Sequence, residues 1–286
     1  MSSIKKTPIL VTATWLADHK ATIKLFDATS HLPTLGRNAN DEYIARRIRG
    51  AGRFDIDKIA DKASDLPHKL PEAAFFQEQM QQLGVNDDDH IVVYCDSIFL
   101  SAARAWWMLR FFGHGRVSVL DGGLKAWQSI NGPMDHGAPG NFFERGNFSI
   151  REPVGAQIIT MESLRSLVEK GVAGQIADAR SPGRFAGIEP EPRAGLRGGH
   201  IPGSSNVPVS GLIAESGHMK SINEIRAAFE AGEIDTKRPV TTTCGSGVTA
   251  CGLALGLALL GNETVFVFDG SWTEWGASDA PIQTGF

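Results

Sequence analysis

One cysteine of this chain stands where a thiol becomes a reagent. Cys244 follows a β-branched run and precedes Gly245-Ser246-Gly247-Val248-Thr249. Two glycines let the backbone curl tightly with its N–H groups facing inward. A helix starting near Val248 adds the positive end of its dipole. A sulfur in that cradle is expected to exist partly as thiolate, the nucleophilic form. Gly245, Gly247, Val248 and Thr249 then form the cradle. Ser246 brings a hydroxyl that either relays a proton or shapes the loop. A cysteine that only packs needs no flanking glycines. Cys251, two helical turns on, and Cys95, inside an apolar run, read as packing. A phosphatase of the Cys-x5-Arg type needs arginine where this chain has Ala250, so that chemistry fails.

The elements that must position this loop occur twice. Val92-Val93-Tyr94-Cys95-Asp96, Gly113, Val117, Val119, Asp121-Gly122 and Trp127 recur as Val240 to Cys244, Gly261, Val265, Val267, Asp269-Gly270 and Trp275. An ungapped shift of 148 residues, as from Gly113 to Gly261, relates the copies. It sets Asp96 opposite Cys244, in a loop (Asp96 to Ser101) without glycine. Leu25-Phe26-Asp27-Ala28 is likewise echoed by Ile176-Ala177-Asp178-Ala179. Residues 91–95, 117–120, 240–243 and 264–268 read as buried strands. Residues 101–112 and 248–260 read as helices, each closed by a glycine. Strand, helix, strand is the unit of a parallel sheet flanked by helices. The expected architecture is α/β: domain 1 over residues 8–135, a Gly- and Pro-rich linker over 136–155, and domain 2 over 156–286.

Gly245-Ser246-Gly247-Val248-Thr249-Ala250 also matches the outline of a dinucleotide site, with Asp269 ending the next strand. Asp269-Gly270, however, has its twin in Asp121-Gly122 of the glycine-less copy. A turn explains both better than a ribose contact. Asp27 and Asp178 read as turn caps, and Trp106 and Trp107 as core or interdomain packing.

The chain has 286 residues, 42% hydrophobic and 21% charged, which excludes a disordered or collagen-like protein. With 28 Lys+Arg against 32 Asp+Glu, the net charge is −4, which disfavours nucleic acid as a partner. Three cysteines argue for a reducing compartment, with the cytoplasm as the expectation. No apolar run approaches a membrane span, and the N-terminus lacks the pattern of a secretory signal. Eight histidines without a paired ligand motif predict no metal site.

The loop from Cys244 to Ala250 resembles the active-site loop of the 3-mercaptopyruvate sulfurtransferases, in the tandem rhodanese superfamily. Three further stretches carry the resemblance. They are Asp178-Ala179-Arg180-Ser181-Pro182-Gly183-Arg184-Phe185 with Glu189-Pro190-Glu191-Pro192-Arg193, then His200-Ile201-Pro202-Gly203, then Asp269-Gly270-Ser271-Trp272. The resemblance covers nearly the whole chain in the family's order. It implies two rhodanese domains, with the cysteine only in the second and Asp96 in its place in the first. It implies a persulfide on Cys244, pyruvate as product, a thiol or cyanide as acceptor, and no cofactor. Thioredoxin is one such acceptor. Arg184 and Arg193 match the family's substrate-clamping arginines, and the arginine fork suits a carboxylate. Arg180 instead suits pairing with Glu189 or Glu191. Thiosulfate rhodaneses resemble C-R-K-G-V-T in this loop. Gly245 and Ser246 remove those two cations, which favours a monoanionic donor. One position departs from the family. Arg47 stands where the first domain usually has the histidine of H-I-P-G-A, which places a serine–histidine relay in doubt. Arg47 is expected instead to add positive charge to the interdomain cleft. Thiosulfate as donor, and a non-catalytic sulfur- or partner-binding module, are the alternatives.

Overall fold

The computed structural model describes residues 7–96, 100–140 and 143–286. Ser97, Ile98 and Phe99 of the first-half loop lie outside them. Each half carries a five-stranded, all-parallel sheet. From edge to edge the first runs Leu10–Val11, Val117–Leu120, His90–Tyr94, Ile23–Asp27, Gly52–Arg53. The second runs Gln157–Ile159, Val265–Phe268, Val240–Thr243, Gln175–Asp178, Ser204–Asn206. The order is the same, so the repeated sequence makes a repeated sheet. β-branched and aromatic side chains, including the three buried threonines of Val240–Thr243, fill the inner strands because both faces are covered. The strands His90–Tyr94 and Val240–Thr243 sit at the two centres.

The two following helices, Ser101–Phe111 and Val248–Leu259, pack against each other across the domain boundary. Small residues permit the approach. A Cβ on Gly252 would lie 2.8 Å from Val209 and 3.2 Å from Leu100. One apolar core therefore runs through both halves, from Phe76, Val93 and Trp106 to Leu253, Leu255 and Val267. Each such buried side chain contributes about 1.5–3 kcal/mol.

Strand pairing shows the halves aligned differently from the ungapped shift. Val117 pairs with Ile91, and Val265, its counterpart, pairs with Val240. Asp27 pairs with Tyr94, and Asp178 with Thr243. Cys95 therefore takes the strand-end position of Cys244, and Asp96 that of Gly245. Leu124 N–H donates to Cys95 O, as Trp272 N–H donates to Cys244 O. The first-half loop holds one residue more before the helices regain the original register. Cys95 lies just past its strand rather than inside it.

The paired aspartates cross the boundary in both directions. Asp269 Oδ2 accepts from Leu70 N–H at 2.8 Å, and Asp121 Oδ1 accepts from Met219 N–H at 2.8 Å. The turn reading of these acids omitted this. Residues 143–155 run along the first domain, where Gly146, Phe148 and Val154 donate backbone hydrogen bonds to Gln81, Val85 and Arg110. Among the described residues no helix is long and apolar enough to cross a membrane.

Candidate active site

Cys244 lies at the end of the central strand and is buried at 1% exposure. Its loop is clamped from behind by the first turn of helix Ser271–Trp275. Trp272 N–H donates to Cys244 O at 2.9 Å, and Thr273 gives Gly245 O its N–H and its hydroxyl. Ser271 Oγ accepts from Cys244 N–H at 3.1 Å and stands 3.8 Å from the sulfur. Ser271 is a site residue that sequence reasoning missed. Its only signal was membership of the Asp269-Gly270-Ser271-Trp272 turn.

With the carbonyls tied down, the loop presents its donors. Among the described residues, the N–H groups of Gly245 to Thr249 have no hydrogen-bond acceptor. Gly247 adopts φ +79°, and a Cβ there would lie 2.5 Å from Asp269 O. Only glycine fits. A Cβ on Gly245 would lie 2.9 Å from Arg184 Nη2, so this glycine makes room for the guanidinium.

Arg184 belongs to the short helix Pro182–Phe185, whose first turn is capped by Ser181. Its Nη2 donates to Glu191 Oε2 at 2.6 Å. The other Glu191 oxygen accepts from Arg180 Nη1 at 2.8 Å. Arg180 is fully buried, forked onto Asp178 and stacked 4.3 Å above Trp272. Of its two candidate acids, Glu191 is the partner, while Glu189 accepts from the Ser181 hydroxyl. Asp178 caps its own turn through Arg180 N–H, as Asp27 does through Thr29 N–H. Among the described residues none forms an ion pair or side-chain hydrogen bond with Arg193. Burial pushes its guanidinium down from the usual arginine value, and the nearby Cys244 sulfur opposes that shift.

A cavity of about 1050 Å³ opens between the domains at this point. Cys244, Gly245, Ser246, Val248, Thr249, Arg184 and Arg193 all line it. Gly247 does not; its role is the helix turn. Ser246 is nearly buried and makes no side-chain hydrogen bond to any described residue. Domain 1 contributes His31, His68, Cys95 and Asp96 to the opposite wall.

A model of the Rhodanese-like domain matches residues 12–130 and again 160–278. The chain belongs to the rhodanese family. A 3-mercaptopyruvate sulfurtransferase from Homo sapiens is 42% identical over 287 residues, covering 96% of this chain and 94% of that one. A thiosulfate sulfurtransferase from Bos taurus is 38% identical, covering 93% and 91%. A crystal structure of a 3-mercaptopyruvate enzyme with the rhodanese fold, from Escherichia coli, superposes with a TM-score of 0.83 at 38% identity. It covers 93% of this chain and 99% of that one.

Within these two rhodanese domains Arg47 is not where its charge was expected. It is 5% exposed, donates to Gly137 O at 2.7 Å, and lies 4.9 Å over the Tyr43 ring. It does not line the cavity. A long cation at this position reaches a carbonyl of the connecting segment instead of the cleft. Its counterpart His200 is also structural, stacked on Phe185 with Nδ1 2.9 Å from that residue's carbonyl. Cys251 donates to Gly247 O, and burial pushes its thiol up to about 12.

Proposed function

We propose that this chain is a 3-mercaptopyruvate sulfurtransferase with Cys244 as its nucleophile. The observation that carries this reading is a buried thiol with uncommitted N–H donors around it, facing a cavity with one unpaired arginine. Charge matching favours the donor. Among the described arginines at the loop, Asp178 and Glu191 offset Arg180 and Arg184, which leaves Arg193 without an ion-pair partner to take one carboxylate. Arg184 stands at the loop to hold the substrate's other oxygens.

The Cys244 thiolate attacks the sulfur of mercaptopyruvate. The carbon–sulfur bond breaks, its electron pair stays on carbon as pyruvate enolate, and Cys244 becomes a persulfide. The N–H groups of Gly245 to Thr249 cradle the transferred sulfur. Ser246 presents its hydroxyl to the cavity. A thiol such as that of thioredoxin, or cyanide, then takes the outer sulfur. The sparse, odd count of three cysteines favours a reducing compartment, the cytoplasm.

Intact mass after mercaptopyruvate treatment tests the reading. The chain should gain one sulfur atom, and Cys244→Ala should gain none. Donor choice is checked by kcat/KM. A clear preference for thiosulfate would overturn the charge-matching argument in favour of the dianionic donor.

A further inference from the structure

Arg184 and Arg193 both line the cavity, but only Arg184 is held by an acid among the described residues. That acid, Glu191, takes two nitrogens of the guanidinium. Arg184 Nε donates to Oε1 at 3.3 Å, and Nη2 donates to Oε2 at 2.6 Å. Oε1 also accepts from Arg180 Nη1 at 2.8 Å. One carboxylate therefore joins two arginines. The Glu191 side chain is 3% exposed and does not line the cavity. It lies behind Arg184, out of reach of a donor bound at the cysteine loop.

This carboxylate is fixed from two sides. Arg180 is forked onto Asp178, donates to Gly199 O at 2.9 Å, and stacks on Trp272. The backbone N–H of Trp272 is the one that holds Cys244 O. Along the chain, Glu191 stands between Pro190 and Pro192, and each proline restricts its own torsions and those of the residue before it. The segment also folds back on the Arg184 helix. Ile188 and Glu189 each donate a backbone N–H to Gly183 O at 2.9 Å. Trp272, Arg180, Glu191 and Arg184 thus form one row, from the back of the cysteine loop round to the cavity wall at Gly245.

A fixed carboxylate behind a substrate arginine discriminates between donors. It occupies half of the arginine fork, and its negative charge offsets the guanidinium. Attraction scales with the charge of the bound anion, so this offset costs a dianion twice what it costs a monoanion. We propose that Glu191 is a specificity-determining residue, which acts through Arg184 to favour monoanionic mercaptopyruvate over dianionic thiosulfate. This rests on the mercaptopyruvate reading. With either donor, the Cys244 thiolate attacks the outer sulfur. From mercaptopyruvate the carbon–sulfur bond breaks, and pyruvate enolate departs from Cys244–S–SH. From thiosulfate the sulfur–sulfur bond breaks, and sulfite departs with the electron pair from Cys244–S–S⁻. The two products differ by one proton at the persulfide, so one acceptor reports on both donors.

The test measures kcat/KM for mercaptopyruvate and for thiosulfate, with cyanide as acceptor. Glu191→Gln keeps the size and removes the charge. The thiosulfate-to-mercaptopyruvate ratio should rise about 10-fold, the worth of one further unit charge several ångströms away. Glu189→Gln removes the same charge two residues off, from an exposed acid bonded to the Ser181 hydroxyl rather than to an arginine. There the ratio should change less than about twofold, because exposed charge is screened. Glu191→Ala, purified in formate, covers the case in which Glu191→Gln does not fold. Diluted out of formate just before mixing, it should show the same rise in ratio, and formate added back should reverse it. A merely structural role gives no such reversal. Equal losses for both donors in Glu191→Gln, a rise of the same size in Glu189→Gln, or a ratio in Glu191→Ala that ignores formate would overturn the proposal. A wild type that takes no sulfur from mercaptopyruvate would overturn the parent reading instead, and shows itself before any variant is compared.

Discussion

Two strand ends, one in each half, hold a cysteine at the same step of the same sheet. Cys95 and Cys244 both follow the central strand, and each carbonyl accepts from the start of the helix after the next strand. They differ in the residue that comes next. After Cys244 stands Gly245, whose missing side chain admits the Arg184 guanidinium. After Cys95 stands Asp96, itself within 3.4 Å of Arg37 and 3.3 Å of Arg46. One sulfur has a cation beside it and the other a carboxylate. The second loop is also shorter and turns into its helix through Gly247, whereas the first helix starts from Leu100 in the strained left-handed region. A shared sheet gives the position of a nucleophile, and the loop decides whether it is one.

The largest test of this contrast is substitution at the two sulfurs. Cys244→Ala should abolish sulfur uptake and turnover by intact mass and pyruvate assay, while Cys95→Ala should leave both unchanged. Activity lost in both would erase the distinction. Next in size is Arg104→Met: the buried Arg104 Nη2 lies 2.7 Å from Asp269 Oδ1, and the change strands Asp269 as a buried, unpaired charge. It should cost about 3–5 kcal/mol in denaturant unfolding. Arg193→Ala removes the unpaired cation and should lower kcat/KM for mercaptopyruvate about 10- to 100-fold, the worth of one charged hydrogen bond. An unchanged kcat/KM would remove Arg193 from the substrate site. Asp121→Ala deletes the reciprocal tie in the first half. That bond reaches a partly exposed acid that forms no ion pair with a described residue, so the loss should be about 1 kcal/mol by the same unfolding measurement.

The repeat, the sheets and the nucleophile loop were legible because each is local. Buried parallel strands need β-branched runs, and a curled loop needs glycines. The register of the first-half loop was not legible, because the identities defining the shift, such as Gly113/Gly261 and Asp121/Asp269, lie after the extra residue. Asp269 looked like a turn because its partners, Leu70 and Arg104, are distant in sequence and contributed by the other half. Arg104 was hidden inside an apolar helical stretch. Arg47 was misplaced because charge alone does not say which way a long side chain reaches.

The two mirrored carboxylate ties also bear on how the polypeptide survives damage. Residues 137–140 are exposed. A protease cut there would sever the covalent thread while leaving the shared core, the Arg104–Asp269 pair and both ties in place. The nicked protein should elute as one particle of unchanged size and keep its activity, a two-piece enzyme made from one gene product.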